Sequence, residues 1–240
     1  MRALCFEHEA KFPAQNMRVS IVIPTLNEAQ ALPATLHALH DQIGDIAMDV
    51  VVVDANSSDA TQRIARTAGV DVLNAPRGRA VQMNRGAHAT SGEVLLFLHA
   101  DTQLPPDALQ QLTRALSTGS LWGRFDVQIV GQVPLLKVVG YGMNMRSRLS
   151  GIATGDQAIF VTRAAFTAVG GFPAQSLMED IALSRQLKRL GKPACLRTRV
   201  ATSGRRWETR GMWRTIWLMW RLRFAYWRGV SPEQLAALYQ

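Results

Sequence analysis

The sequence predicts an α/β domain with a mostly parallel central sheet flanked by helices. Three observations carry this. Short, β-branched apolar runs recur through the first hundred residues: Val19–Ile23, Val50–Val53, Val70–Leu73 and Val94–Leu98. Stretches with helical spacing separate them. The runs are apolar throughout rather than alternating, as expected of strands covered on both faces. With 240 residues, 48% of them hydrophobic, the chain can bury a sizeable core as one large domain, or as one domain with an appendage.

Residues 1–16 have no clear period and read as a loose N-terminal arm. Glu7 and Glu9 stand where a secretion signal would need an apolar core, so no signal is expected. Strand one is stopped by Pro24. Leu32, Leu36 and Leu39 then fall at helical spacing. Strand two ends at Asp54, and Ser57 or Ser58 caps a helix through Ala68, with Gly69 behind it. After the third strand, Arg79–Thr90 reads as a helix closed by Ser91 and Gly92, and Val94–Leu98 is the fourth strand. A helix follows Pro105 and Pro106 as far as about Ser117. The pattern then changes. Arg124–Val130 alternates loosely, like an antiparallel or edge strand. Pro134–Leu149 looks helical, Ala158–Val161 is a strand, and Glu179–Leu190 is a helix closed by Gly191. The domain is expected over 17–204, with a helical C-terminal extension over 205–240. No internal repeat and no low-complexity linker interrupts it.

Two cysteines, Cys5 and Cys195, make no disulfide framework. No run of about 18 uncharged apolar residues is present, so no helix is expected to span a membrane. A cytoplasmic protein is the expectation. The net charge of +9 is unevenly placed: residues 1–184 hold 14 basic and 16 acidic side chains, residues 185–240 hold 13 and 2. A basic excess confined to the last quarter points to a local anionic partner, such as a diphosphate, lipid headgroups or nucleic acid.

In an open parallel sheet, ligands bind beyond the carboxyl ends of the strands. Strand one ends in Pro24-Thr25-Leu26-Asn27-Glu28, strand two in Asp54-Ala55-Asn56-Ser57-Ser58-Asp59, and strand four in His99-Ala100-Asp101. Asp59 and Ser58 read as turn and cap residues. Glu28, Asp54 and Asp101 on one rim, with Arg77 and Arg79 nearby, are harder to dismiss, because clustered carboxylates repel unless a cation sits among them. Neither G-x-G-x-x-G nor G-x-x-x-x-G-K-[ST] is present, so a nucleotide would be bound by other means.

In order, VSIVIPTLNE, VVVDANSSDAT, GRAVQMNRG, VLLFLHADT, GGF and MEDIALSRQL resemble the successive motifs of family 2 glycosyltransferases of the GT-A fold. The resemblance covers about residues 18–210 and is nearest to a small bacterial transferase-2 subgroup associated with radical SAM and selenodomain proteins. It implies an inverting transfer of a sugar from a UDP- or GDP-sugar to an acceptor hydroxyl. The acceptor is unknown, a lipid-like one being a candidate. Pro24, Thr25, Asn27 and Glu28 would line the nucleotide pocket, Asp54 would hold the base or ribose, and Arg79 and Asn84 would sit on the helix beneath. Asp101 would be the ligand of a divalent metal, Mn²⁺ or Mg²⁺. His99 stands where the family has its first Asp, and imidazole binds Mn²⁺ but is a poor ligand for Mg²⁺; alternatively it hydrogen-bonds the sugar or supports Asp101. Asp180 would be the general base and Glu179 its orienting or acceptor-binding neighbour, the reverse assignment staying open. Gly155 and Asp156 would form an acceptor-side loop, or simply an Asx turn. Arg205, Arg206 and Trp207 weakly resemble an Arg-Trp element of processive relatives, and either arginine could neutralise the leaving diphosphate.

Five of the six tryptophans lie between 207 and 227. Trp213, Trp217, Trp220, Phe224 and Trp227 form one helical face, flanked by Arg214, Arg221 and Arg228. Such a helix could pack on the domain or on a second copy as a homodimer. It could also lie in an anionic membrane interface as a peripheral contact on the inner face, or stack nucleic-acid bases. The net acidic domain upstream and the absence of a nucleic-acid motif argue against the last. Two other classes of function remain: a catalytically inactive nucleotide-sugar-binding module, with His99 marking lost metal chemistry, and a sugar-phosphate nucleotidyltransferase. The latter would need a glycine-rich loop after strand one, and Pro24–Glu28 has none.

Overall fold

The computed structural model describes residues 17–42 and 46–239, and the arm expected at 1–16 lies outside them. The strands are β1 (Val19–Thr25), β2 (Met48–Asp54), β3 (Asp71–Asn74), β4 (Val94–Phe97), β5 (Thr102–Gln103), β6 (Trp122–Val130), β7 (Ile159–Thr162) and β8 (Ala194–Ser203). They form one sheet in the order β3-β2-β1-β4-β7-β6-β8-β5. β3, β2, β1 and β4 run parallel, and β7 joins β4 antiparallel.

Two-sided burial is visible residue by residue. Ile21 and Ile23 of β1 enter one core with Leu96 and Leu98; Val22 enters the opposite core with Leu95 and Phe97. Successive strand side chains point to opposite faces, so an unbroken apolar run serves both. The helices are α1 (Leu32–His40), α2 (Thr61–Thr67), α3 (Arg79–Ala89), α4 (Ala108–Ser117), α5 (Leu135–Ser150), α6 (Arg163–Ala168), α7 (Glu179–Leu187), α8 (Arg205–Arg210), α9 (Met212–Trp227) and α10 (Pro232–Tyr239). α3 lies directly on the sheet: a Cβ at Gly86 would collide with Val22 and approach Val53.

Two expectations are corrected. The helix placed after Ser57 or Ser58 begins only at Thr61. The Ser57 hydroxyl donates back to Asp54 at 2.5 Å, and Asp59 accepts the Thr61 N–H at 2.9 Å, so a looped turn forms before the helix. Of the two readings of the strand at Arg124–Val130, antiparallel or edge, the antiparallel pairing of β6 is found with β7, but the strand is not at an edge: β8 pairs parallel on its other side. Its loose alternation comes from charges that are buried, not solvated. Arg124 is fully buried and ion-pairs with Asp126, which also takes a two-pronged bond from Arg148 at 2.7 and 2.9 Å. Asn144 of α5 clamps Val127 through both its backbone N–H (2.8 Å) and its carbonyl (2.9 Å). These bonds fix α5 along the sheet.

A smaller third core of Met178, Ile181, Leu222 and Leu235 joins α7, α9 and α10. At about 100° per residue, the buried Leu222 faces the domain from α9. The opposite stripe is open: Trp213, Trp217, Trp220, Phe224 and Trp227 are 59–74% exposed.

Candidate active site at the strand ends

The ends of β1 and β2 are laced together. Asp54 is fully buried and accepts from Thr25 Oγ1 (2.9 Å), Ser57 Oγ (2.5 Å), Ser57 N–H (2.8 Å) and Gln62 Nε2 (2.7 Å). Burial raises its pKa, but these donors outweigh burial and hold the carboxyl below its ordinary range. Asn27, with φ of 56°, accepts the Ser58 N–H at 2.8 Å and donates its own N–H to Ser57 Oγ at 2.8 Å. Gln82 spans the gap beneath, donating to the carbonyls of Thr25 (2.9 Å) and Val53 (2.8 Å). Pro24 is buried inside β1 opposite Val53. Asn84 is bonded both ways to Phe172, accepting its N–H at 2.9 Å and donating to its carbonyl at 2.8 Å. Asp54, Asn27 and Asn84 are thus tied by bonds to the protein itself, while Glu28 has the charges of Asp101, Arg205 and Arg79 near it.

Burial and the neighbouring Asp101 charge raise the pKa of Glu28, while Arg205 and Arg79 oppose the rise. Arg205 approaches Glu28 at 3.5 Å and Gln30 at 3.2 Å. This brings the start of α8 against the β1 loop, and Trp207 packs behind it on the main core. Asp101 sits on the turn after β4, where Thr102 N–H returns to the His99 carbonyl at 3.1 Å and Thr35 of α1 holds the Ala100 carbonyl at 2.7 Å. Of the three rim carboxylates expected from sequence, Glu28 and Asp101 come together; Asp54 is turned inward.

The facing rim comes from β7 and α7. His99 Nδ1 lies 3.3 Å from Asp156 Oδ1. A Cβ at Gly155 would overlap the imidazole, so only glycine fits beside it. The turn Gly155–Gln157 is a single 3-10 turn with a capping box between Thr154 and Gln157. Burial would raise the Asp156 carboxyl, but the bond from His99 and the charges of His99, Arg79 and Arg206 bring it down to about 2. Asp180 is fixed by two backbone donors, Gly155 N–H at 3.0 Å and Ile181 N–H at 2.7 Å. The 153–157 segment is thereby docked on α7, where Ser184 also holds Ala153. Met178, just before Glu179, has φ of 65°, and Ala158 beyond the turn has φ of 47°. Non-glycine residues in this region carry strain and concentrate where a site must be held in place. Glu179 is 5% exposed, and burial with the adjacent Asp180 pushes its carboxyl up to about 6.

Two arginines join this rim that the sequence did not assign to the site, Arg223 reading there only as one of four arginines of the tail helix. Arg146 of α5 and Arg223 of α9 both feel the charges of Asp156 and Asp180. Burial, then the Arg223 charge, lowers Arg146 to about 10. Arg223 lies on the shoulder of α9 opposite Arg214, Arg221 and Arg228. Its distance of 43 residues from Asp180 left no local pattern to find it by. Among the described residues, no three His, Cys, Asp or Glu side chains form a ready metal cluster.

The chain resembles solved structures that bind nucleotide sugars. A mannosyltransferase from Pyrobaculum calidifontis, in complex with GDP-Man and Mn²⁺, superposes with a TM-score of 0.60 at 21% identity, covering 87% of this chain and 61% of that one. S. aureus TarS in complex with UDP-GlcNAc gives 0.61 at 17% identity, covering 78% and 58%. These likenesses establish the GT-A fold. By sequence, a dolichol-phosphate mannosyltransferase of Pyrococcus furiosus is 31% identical over 110 residues, 43% of this chain and 31% of that protein. An undecaprenyl-phosphate 4-deoxy-4-formamido-L-arabinose transferase of Yersinia pestis is 30% identical over 112 residues, 42% and 34%. The chain spans about a third of the length of these curated relatives. The glycosyl transferase family 2 profile matches residues 20–162, from β1 through the Asp101 turn to β7. With more than half the chain matched, and with the strand-end rim inside the match, the protein belongs to glycosyl transferase family 2.

Proposed function

We propose that the protein transfers a sugar from a UDP- or GDP-sugar to an acceptor hydroxyl, inverting the anomeric centre. The observation that carries this is Asp180: a carboxylate immobilised by two backbone N–H groups, one of them from Gly155 inside the family 2 match at 20–162, with Asp180 itself just beyond that match. A base for an inverting displacement must face the leaving group across the sugar and keep a fixed direction. Asp180 takes the hydroxyl proton as the acceptor oxygen attacks the anomeric carbon and the bond to the nucleoside diphosphate breaks. Glu179, held high by burial, keeps a second full negative charge out of the same spot at mildly acid pH. Arg205 and Arg206 favour the departing diphosphate.

Asp101, a hard oxygen donor with Glu28 near it rather than a protein cage of three or more ligands, would hold Mn²⁺ or Mg²⁺. Such a cation, when bound, offsets charge on the leaving group. His99, engaged with Asp156, serves the acceptor turn and leaves the cation to Asp101 and the Glu28 side of the rim.

The lipid phosphates in the names of the Pyrococcus and Yersinia relatives favour a lipid-like acceptor. The open tryptophan stripe, flanked by Arg214, Arg221 and Arg228, favours a peripheral site on an anionic membrane surface; no helix among the described residues is long and apolar enough to cross a membrane. The motif set favours the bacterial transferase-2 subgroup. The test is a panel of UDP- and GDP-sugars scored by thermal shift with and without Mn²⁺, followed by turnover of the sugar that binds. Asp101→Ala should abolish turnover and keep the fold. Full activity of that variant, or of the parent in excess chelator, removes the metal role; absence of any nucleotide-sugar binding removes the whole reading.

A further inference from the structure

Arg146 Nε and Nη2 are both buried and have no hydrogen-bond partner. A guanidinium presents five N–H donors and stays charged, so burying two without acceptors is costly. The nearby carboxylates do not resolve this. Asp156 is engaged by His99, and Asp180 by Gly155 and Ile181. A second guanidinium, Arg223, comes from α9, whose Leu222 packs with Met178 and Ile181 at the start of α7 and against Ile152 just after α5, and its charge adds repulsion. Two convergent arginines, one of them with unpartnered buried donors, are an arrangement that suits phosphate, since the planar fork matches two phosphate oxygens at once.

Each arginine is adjoined on its own helix by exposed apolar side chains. On α5 these are Met145 (37%) and Leu149 (83%); on α9 they are Trp220 (73%) and Phe224 (59%). An anionic group entering between the arginines would thus leave apolar surface for the chain attached to it. We propose that Arg146 and Arg223 form a phosphate site for a membrane-lipid acceptor, whose phosphate they hold while its hydroxyl meets Asp180. The role of acceptor rests on the glycosyl-transfer reading above; the phosphate site does not.

Monomeric dihexanoyl phosphatidylglycerol, which carries both a phosphate and free hydroxyls, is the probe, titrated calorimetrically against the full chain. It should bind the parent, and Arg223→Gln should weaken binding by about tenfold or more, as expected for loss of a charge-assisted pair. Arg146→Lys, which keeps the charge and the buried stem but loses the fork, should weaken it comparably. Arg197→Gln, which removes an exposed arginine from β8, should change nothing. Glycerol 3-phosphate should bind at the same site at least about tenfold more weakly, because it has no chain to cover apolar surface. Equal affinity for glycerol 3-phosphate overturns the lipid assignment. Binding that Arg223→Gln and Arg146→Lys leave unchanged, or that Arg197→Gln weakens equally, overturns the site. UDP and GDP are titrated against the same variants. If the two substitutions weaken nucleotide binding as much as lipid binding, the arginines belong to the donor diphosphate and the proposal fails. A parent that binds the lipid but no nucleotide refutes the glycosyl-transfer reading and leaves the phosphate site standing.

Discussion

The two rims of the cleft are built in opposite ways. On the β1–β2 rim, polar groups answer one another: Asp54 takes four donors, Asn84 two-way contact with Phe172, and Gln82 two carbonyls. On the β7–α7 rim, charge is left over. Glu179 is buried beside Asp180, Arg146 has unpartnered donors, and Arg223 crowds it. The difference is one of hydrogen-bond satisfaction: buried polar groups are normally paired, and perturbed, unpaired ones concentrate at functional sites.

This contrast can be broken at several points. The largest effect is expected at Asp180. Asp180→Asn should slow turnover by roughly 100-fold or more, at least about 2.7 kcal/mol on the barrier, while nucleotide binding stays intact. If Glu179→Gln abolishes turnover and Asp180→Asn does not, the base is Glu179. On the opposite rim, Asp54→Ala should act through folding, because it strands the donors of Thr25, Ser57 and Gln62; a loss of about 2–3 kcal/mol in urea unfolding is expected. A variant of full stability that fails only in nucleotide binding would move Asp54 from scaffold to site.

The next effect has a pH signature. The Glu179 carboxyl is raised from 4.5 to about 6. The folded state therefore favours the protonated form, so its contribution is fully present below about pH 4.5 and is lost as pH rises through 6. Relative to the parent, Glu179→Gln should gain up to about 2 kcal/mol between pH 4.5 and 7.5. Melting curves of the two proteins that run parallel across that range would show that Glu179 is not held high. Smallest in stability terms is the tryptophan pair. Trp217 and Trp220 are 62% and 73% exposed, so Trp217→Ser with Trp220→Ser should shift stability by less than about 1 kcal/mol. The same variant should lose co-sedimentation with anionic vesicles at low salt, an association that salt also weakens. A paired variant that unfolds, or that changes oligomeric state instead, makes those side chains packing or dimer residues.

The sequence alone determined the parallel half of the sheet. Four both-face-buried strands need continuous apolar runs, and such runs stand out against polar loops. It also placed Asp101 and the Glu179-Asp180 pair, because strand ends and helix starts are local features, and it marked the tryptophan stripe, because helical periodicity is local too. It did not reveal β8, whose segment ACLRTRVATS reads as polar, nor the interior place of β6, whose Arg124 and Asp126 read as solvated until their partners across the fold are known. Only the tertiary structure decided which polar residues were satisfied. Asp54 and Asp101 look alike in sequence, each a carboxylate just past a buried strand. One is closed by donors from α2 and the β1 end, and the other lies near Glu28. Arg223 looked like one more basic residue of the tail until packing of Leu222 on α7 turned it toward Asp180, 43 residues away in the chain. Hydrogen-bond satisfaction and charge convergence depend on distances between segments far apart in sequence, and those distances exist only once the chain is folded.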